Sequence, residues 1–513
     1  MPISLKKSYN RQNKFYYILP FDILLLPLRQ NLNIMSTVIG RKQEIEELES
    51  LYNSDRPEFV AVYGRRRVGK TFLIKQALKG KFTFQHTGVS PIDQEDEKNR
   101  MKTQLESFYY SMLNHGLEGY KQPKSWMEAF FQLEQLLQKL DNGERMVIFI
   151  DELPWMDTPR SRFLSAFENF WNGWCNDHDN VMLVVCGSAT TWMLKYLSRN
   201  KGGLYGRLTD EIKVYPFTLK ECEEYFNHEN IELSRYDIVQ SYMVFGGIPY
   251  YLSYFRKGYS FERNSDMILF GNRPRLKDEF NRLFKAIFTN AEDCKKIIRL
   301  LASRNYGFTR EEIANATGLP LGGGLSDTLT ALAESDFILR YSPYGKGTGE
   351  YYKLIDNFCL FWLKHVEPNQ DNASYFNDNF TSDIMKAWKG VAFEQVCWQN
   401  ITQIKRALEI GGVKSSVSAW NIAGTETKTG AQVDLLINRN DNIVNLCEMK
   451  FYSGLYSIDK DEELKLMNRI ETLKETLAPK QQVHLTLITT FGLKQGKHSG
   501  KVQKVVTCDE LFT

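Results

Sequence analysis

Residues 64–71 read Gly-Arg-Arg-Arg-Val-Gly-Lys-Thr, directly after the short apolar run Phe59-Val60-Ala61-Val62-Tyr63. The spacing is G-x-x-x-x-G-K-[ST], with a strand before it and a helical run, Phe72 to Leu78, behind it. The chemistry this permits is anion binding. Gly64 and Gly69 let the backbone curl until successive N–H groups point at a phosphate. Lys70 has the reach for β and γ oxygens, and the Thr71 hydroxyl is a ligand for Mg²⁺. The helix that follows turns its positive end toward the same anion. Gly64, Arg65, Arg66, Arg67, Val68, Gly69, Lys70, Thr71 and Phe72 are therefore the expected nucleotide contacts. The three arginines bring charge that serves phosphate, solvent or a partner.

Met146 to Ile150 is a continuous apolar run that ends in Asp151-Glu152. Such a run predicts a buried parallel strand, and its carboxyl end is where open α/β sheets place ligands. Asp151 is expected to hold Mg²⁺ through water and Glu152 to polarise the attacking water, which predicts hydrolysis of the nucleotide. A third strand, Val181 to Val185, leads into Cys186-Gly187-Ser188-Ala189-Thr190. The stretch Gly202-Gly203-Leu204-Tyr205-Gly206-Arg207 sets an arginine in a glycine-rich loop, either as an arginine finger or as a surface residue.

Together, Ile39-Gly40-Arg41 with Glu44 and Leu48, VYGRRRVGKT, FIDELPWM and CGSATTWM resemble the archaeal-type ATPase family. These are P-loop proteins related to the AAA+ and STAND groups. The resemblance covers roughly residues 37–360. It implies an ATP site in which Ile39, Gly40 and Arg41 lie near the adenine base. It also implies that a polar residue after the third strand reads the γ-phosphate, with Ser188 the first candidate and Thr190 the second. The family usually continues into a domain that resembles restriction-type nucleases.

Matching residues stand near the carboxyl end. Val433 to Ile437 reads as a strand carrying Asp434, Asn438 to Asn442 as a turn, and Ile443 to Met449 as a second strand leading into Glu448-Met449-Lys450. This D…E-x-K pattern resembles the PD-(D/E)xK nuclease-like fold. Glu448 and Lys450 share one face of their strand. A hairpin centred near Asp441 sets Asp434 opposite Glu448, with Cβ atoms about 5 Å apart. Two carboxylates at that distance suit Mg²⁺, and a neighbouring lysine can position hydroxide or stabilise a pentacoordinate phosphate. The fold implies a further ligand on the helix that contains Gly390 to Glu394, namely Glu394. The proline usual before the aspartate is absent; Gln432 and Val433 stand there.

The elements that must position these groups fall into five stretches. Residues 1–34 do not fit the rest. Phe15 to Leu28 is apolar but short, and it contains Asp22 and two prolines, so it reads neither as a span nor as a secretory signal. Met35 is the expected biological start, with residues 1–34 either not translated or a disordered leader. Residues 35–215 form the expected α/β core with a parallel sheet, and Trp126 to Leu140 has helical apolar spacing. Residues 216–290 form a helical lid that opens near Thr218 and is broken at Gly246-Gly247-Ile248-Pro249. Residues 291–366 read as a winged helix: Thr309 to Thr317, a Gly322–Gly324 break, Leu325 to Ser335, and a hairpin of Phe337 to Tyr341 with Tyr351 to Leu354. Residues 375–513 are the nuclease-like domain.

Composition sets the limits. A chain of 513 residues, 42% apolar and 25% charged, is globular and too long for one core. A net charge of +3 gives no electrostatic footprint for nucleic acid. Residues 292–356 hold eight basic against nine acidic residues and residues 381–513 seventeen against fifteen. The recognition helix Leu325 to Ser335 carries neither Lys nor Arg, so a packing or protein-contact role is expected for the winged helix. The eight cysteines are scattered without a C-x-x-C pair, as in a reduced cytoplasmic protein. The expectation is an ATP- and Mg²⁺-dependent ATPase coupled to a domain that reads or cuts DNA. No membrane partner is expected, and a homo-oligomer or a protein partner is left open. The competing readings are an assembly or signalling switch that uses no nucleic acid, and a mobile-element or defence nuclease.

Overall fold

Apolar runs bounded by turns build the central sheet of the computed structural model, which describes residues 38–90, 99–199, 204, 206–345, 349–422, 424 and 430–513. The leader 1–34, Gly202, Gly203 and Tyr205, and positions 346–348 at the tip of the expected wing lie outside the described residues. The strands β1 (Glu58–Tyr63), β2 (Phe82–Thr87), β3 (Met146–Asp151), β4 (Val181–Gly187) and β5 (Asp210–Lys213) run in the order β2-β3-β4-β1-β5. Every neighbouring pair is parallel. β3 and β4 are buried along their whole length, as strands covered on both faces must be. The two edge strands carry little apolar signal: Phe-Thr-Phe-Gln-His-Thr in β2, and one isoleucine among charges in β5.

Helix Trp126–Leu140 has the bounds its spacing predicts, with Ser125 accepting from the Glu128 amide at its start. Its apolar face buries Phe130, Leu133, Leu136 and Leu137. Phe130 stacks on Phe170 of helix Phe163–Gly173, ring centres 5.1 Å apart. Each such ring removed from water contributes about 1.5–3 kcal/mol. This layer fixes β1, β3 and β4, whose carboxyl ends then deliver the phosphate loop, Glu152 and Ser188 to one edge.

Beyond β5, a capping box of Thr218 and Glu221 opens helix Leu219–His228. Helix Arg235–Phe245 stops at Gly246, and Pro249 starts the next turn. Gly247 has φ 67°, and a Cβ there would meet the Phe217 carbonyl at 2.3 Å, so the turn needs glycine. After helices Phe261–Leu269, Glu279–Ile287 and Ala291–Leu301 come helix Arg310–Thr317, capped by Thr309, and helix Gly323–Glu334. Of the glycines read as a break, Gly322 is the extended residue before that second helix, and Gly323 and Gly324 begin its first turn. The strands β6 (Phe308–Thr309), β7 (Ile338–Tyr341) and β8 (Tyr351–Leu354) form an antiparallel sheet in the order β6-β8-β7.

The last segment begins with helix Asp383–Gln399. Strands β9 (Ser415–Ile422), β10 (Ala431–Arg439), β11 (Ile443–Lys450), β12 (Gln482–Thr489) and β13 (Val502–Thr507) form a mixed sheet in the order β13-β12-β11-β10-β9. Helix Lys460–Lys474 makes the crossover from β11 to its parallel neighbour β12. Gly40–Thr513 form one compact unit, apart from Met1–Ile39. The Asp266 carboxylate takes the amides of Phe376 at 2.7 Å and Asn377 at 3.0 Å, and Tyr236 stacks on Phe451 at 4.9 Å.

Candidate nucleotide site and C-terminal carboxylates

The phosphate loop leaves β1 at Gly64, whose φ is 142°. A Cβ at Gly64 would come within 2.2 Å of the Val214 carbonyl, so β5 closes the loop from one side. Gly69 and Arg67 also have positive φ, at 93° and 77°. The loop ends in helix Lys70–Ala77. Lys70 is buried, and its ammonium donates to the Gly64 carbonyl (2.9 Å), the Arg65 carbonyl (3.1 Å) and Ser188 Oγ (3.1 Å). Ser188 Oγ in turn donates to Glu152 Oε1 at 2.8 Å, and its amide to Oε2 at 3.1 Å. Thr71 Oγ1 donates to Asp151 Oδ2 at 2.9 Å.

The structure thus brings together Lys70, Thr71, Asp151, Glu152 and Ser188. Glu152 sits at φ 48°, ψ 45°, an uncommon left-handed position for a residue with a side chain. The strain aims its carboxylate across to the end of β4. The hydroxyl of Thr71 beside an aspartate oxygen is a hard-oxygen pair that suits Mg²⁺. Phe72 is exposed and Val68 fully buried.

Other expected contacts are placed differently. Arg65 does not face phosphate. It is buried, pairs with Asp356 and lies 5.0 Å from the Phe337 ring. Arg67 makes two 2.9 Å bonds to Glu279 and lies over Tyr250. Both arginines instead tie the loop to elements 200 or more residues further along the chain. Arg66 has no carboxylate partner among the described residues and lies over Trp155, so it stays available to phosphate. The Arg41 guanidinium is held by the carbonyls of Tyr215 (2.5 Å) and Val68 (3.5 Å) and by Glu44 (3.6 Å). It braces the loop and is not free for a base. Gly40 has φ 62°, and a Cβ there would strike Glu221. Ile39 belongs to the short N-terminal unit.

Arg207 is the clearest departure. The amide of nearby Thr209 donates to the Phe59 carbonyl, at the amino end of β1. Gly64 lies five residues further on, roughly 16 Å at strand rise. The exposed Arg207 is therefore at the opposite edge of the sheet from its own phosphate loop.

In the C-terminal sheet β10 and β11 pair from Leu435↔Cys447 to Asn438↔Val444, and Asp434 and Glu448 each lie one residue beyond the first of these pairs. The carboxylates, however, are already engaged. Glu448 pairs with Lys450 at 2.9 Å and with Arg469 at 2.5 Å, and Lys450 also pairs with Glu462 at 2.9 Å. Burial pulls the Lys450 ammonium down, but Glu448 and Glu462 lift it above its ordinary value. Glu394 accepts from Asn305. Burial pulls the Lys353 ammonium of β8 below its ordinary value, against the opposing pull of Glu394 and Asp434. Among the described residues no group of three His, Cys, Asp or Glu is disposed to hold a metal ion. The donors have the right chemistry for a divalent ion, but as arranged they do not fit one.

Asn305, Lys353, Arg469, Glu462, Glu279 and Asp356 were not expected at these sites. Each comes from a distant stretch with no motif around it.

Burial, then Asp434, pushes the Glu394 carboxyl up to about 8 from its ordinary 4.5. The folded chain therefore holds this proton through a window in which the unfolded chain has lost it. Its contribution to stability is complete below 4.5 and is lost as pH rises through about 8. Burial lowers His86 to about 3 and His365 to about 4, which gives the opposite slope below neutrality. Urea midpoints of wild type and Glu394→Gln, taken at several pH values, should therefore diverge. The variant gains on wild type as pH rises from about 5 to about 8.5. Parallel curves would remove Glu394 as the titrating group.

A parallel sheet that gathers a glycine-kinked phosphate loop, two acids and a serine at its carboxyl edge defines a P-loop ATPase. Residues 39–255 carry the ATPase domain found predominantly in Archaea. An uncharacterized protein of Methanocaldococcus jannaschii is 26% identical over 422 residues, 80% of this chain and 87% of that one. An uncharacterized ATP-binding protein of the same organism is 49% identical over 43 residues, 8% of this chain and 73% of its own length. Among solved structures, a Walker-type ATPase of Pyrococcus abyssi is similar with 17% identity and a TM-score of 0.43. That match covers 64% of this chain and 97% of the other. The Aeropyrum pernix ORC2 protein, in ADPNP–ADP complexes, matches with 12% identity and a TM-score of 0.39, over 67% and 96%. No helix among the described residues is long and apolar enough to cross a membrane.

Proposed function

We propose that the chain binds ATP with Mg²⁺, hydrolyses it slowly, and passes the nucleotide state of its phosphate loop to a nuclease-like C-terminal domain that acts on or binds DNA. The observation that carries the first part is the chain of contacts Lys70–Ser188–Glu152 beside Thr71–Asp151. The loop amides and Lys70 hold the phosphates. Lys70 exchanges at least one of its present acceptors for a phosphate oxygen, since an ammonium has three protons and all three are engaged. Mg²⁺ held by Thr71 and Asp151 would neutralise charge on the phosphates. Glu152, aimed by its backbone and by Ser188, orients and deprotonates water; Ser188 senses the γ-phosphate. Arg207 faces away from its own loop and serves only a neighbouring copy. A homo-oligomer is part of this reading.

The order helix, three antiparallel strands, crossover helix, parallel strand supports the nuclease-like reading of residues 375–513. The winged-helix reading of 291–366 rests on helix Arg310–Thr317, capped by Thr309, on helix Gly323–Glu334, and on the β7–β8 hairpin. Its second helix points to a packing role: Glu334 at its end pairs with Arg199, and Lys213 reaches Asp336 at 2.8 Å. A second reading has the C-terminal domain keep its fold without cutting, as a nucleotide-controlled switch. The engagement of Glu448 and Glu394 by cations and amides favours it.

Calorimetry with ATP and Mg²⁺, steady-state phosphate release, and supercoiled plasmid with Mg²⁺ or Mn²⁺ test these readings together. Heat and slow turnover are expected; nicking that Lys450→Ala removes while turnover stays would establish the cutting reading. No heat from any nucleoside triphosphate would remove the ATP site. Turnover without cleavage or binding of any DNA or RNA would leave the switch.

A further inference from the structure

The near balance of charge over residues 381–513 conceals a segregation. Between Thr476 and Cys508 the chain has five lysines and two histidines, and neither Asp nor Glu. Four of these lysines are Lys494, Lys497 and Lys501, in the crossover from β12 to β13, and Lys504 on β13. All four are exposed, and none makes an ion pair among the described residues. His498 stands among them and contacts Glu463 of helix Lys460–Lys474 at 2.6 Å, so that acid is turned to the histidine and not to a lysine. Lysines on an edge strand discourage pairing with other chains, which accounts for Lys504, since β13 is an edge of its sheet. It does not account for the three in the crossover.

The backbone that presents them is tied down. The Lys494 amide donates to the Tyr456 carbonyl at 2.7 Å, and the Tyr456 amide to the Gly492 carbonyl at 2.9 Å. Ser499 is buried; its hydroxyl donates to the Gly496 carbonyl at 2.9 Å and accepts from the Gly496 amide at 3.0 Å. Apolar side chains stand where the crossover begins. Tyr452 and Leu455, just past Glu448-Met449-Lys450, are 53% and 55% exposed, and Phe491, just past β12, is 48% exposed. The Tyr452 amide donates to Thr490 Oγ1 at 2.8 Å, and a Cβ on Gly492 would lie 3.7 Å from Leu455. These contacts join the three into one patch. Tyr236 stacks on Phe491 at 5.6 Å and fixes its ring.

We propose that this surface binds a single-stranded nucleic acid, with Lys494, Lys497, Lys501 and Lys504 on the phosphates and the rings of Tyr452 and Phe491 under the bases. This rests on the reading that the C-terminal domain binds nucleic acid; it needs neither a divalent ion nor cleavage. Lysine is a compact point charge that neutralises a phosphate without reading sequence. Aromatic rings beside a cationic track are the combination that holds unpaired bases, whose faces a duplex hides. The helix that would enter a duplex groove, Gly323–Glu334, has no Lys or Arg. A lipid surface calls for an apolar helix face beside the cations. Here the exposed apolar groups sit at strand ends.

Fluorescence anisotropy tests this with the full-length protein in EDTA and a short labelled oligothymidylate, an oligouridylate and a DNA duplex of equal length. The single strands are expected to bind at least about fivefold more tightly than the duplex. Changing all four lysines to glutamine should weaken single-strand binding at least about tenfold. It should also flatten the plot of log affinity against log salt by at least about 2, since each phosphate neutralised on a single strand contributes about 0.7. Tyr452→Ala should lose at least about fivefold on single strands, with the salt slope and the duplex unchanged. Thermal melting checks folding; if the fourfold variant melts early, Lys497→Gln with Lys501→Gln reads the same slope at about half the change. Single-strand binding that keeps its strength and slope in the lysine variants would overturn the surface and leave the nucleic-acid reading standing. Equal or tighter binding of the duplex, with Tyr452→Ala silent, would overturn the single-strand assignment. Binding to phosphatidylserine vesicles and to no nucleic acid would make the patch a lipid contact. No binding to any of these probes would remove the nucleic-acid reading and the surface together.

Discussion

Replacing Glu152 by glutamine is expected to lower ATP turnover by about 10²–10⁴-fold while ATP affinity changes by less than about threefold. Glutamine matches glutamate in shape, and its one carbonyl oxygen still accepts from Ser188. It cannot accept a proton from water, however, and that is the step assigned to Glu152. Affinity is set elsewhere, by the loop amides, Lys70 and the Thr71–Asp151 oxygen pair. The measurement is steady-state phosphate release beside a calorimetric ATP titration. Loss of both together would make Glu152 a brace for Ser188 and not a base. Turnover at the wild-type rate would place the base outside the end of β3. The left-handed backbone at Glu152 sharpens the expectation, because strain of about 1–3 kcal/mol persists only where surrounding contacts over-determine it. Here the contacts that do so are the two bonds from Ser188.

Much of this arrangement was legible because it depends on local sequence. A phosphate loop needs glycines at fixed offsets, and buried strands need unbroken apolar runs, so β1, β3 and β4 and the groups at their ends stand out. The β10–β11 register, Leu435↔Cys447 to Asn438↔Val444, follows from a hairpin turn near Asp441, again a local matter. Edge strands β2 and β5 were missed because half their residues meet solvent or charge. What the sequence hides is long-range pairing. Arg65 and Arg67 look like phosphate ligands from their place in the loop. Their partners, Asp356 and Glu279, lie more than 200 residues away and are ordinary acids in unremarkable contexts. Likewise Arg469 carries no motif, yet it occupies Glu448 of the D…E-x-K pattern. Arg207 misleads for the same reason. A glycine-rich loop says nothing about which edge of the sheet it lies on, and here β5 starts beside Phe59, away from the nucleotide.

Asp356→Ala is the substitution expected to cost the most stability, about 3–5 kcal/mol, because it strands the buried Arg65 guanidinium. The loss of the cap on the Cys359 amide adds about 1 kcal/mol. Few groups stand ready to compensate. Two Arg65 nitrogens, Nε and Nη2, already lack hydrogen-bond partners, so removing the carboxylate leaves a cation held only by the Phe337 ring. The urea midpoint reads the loss, and a cycle of variants assigns its cause. If the cost is that of an uncompensated charge, Arg65→Met combined with Asp356→Asn recovers most of it, since both charges go and the helix keeps its cap. If the double change is instead as damaging as the sum of the two single ones, the charge pair is not the cause, and the loss lies in the packing that the two buried side chains supply.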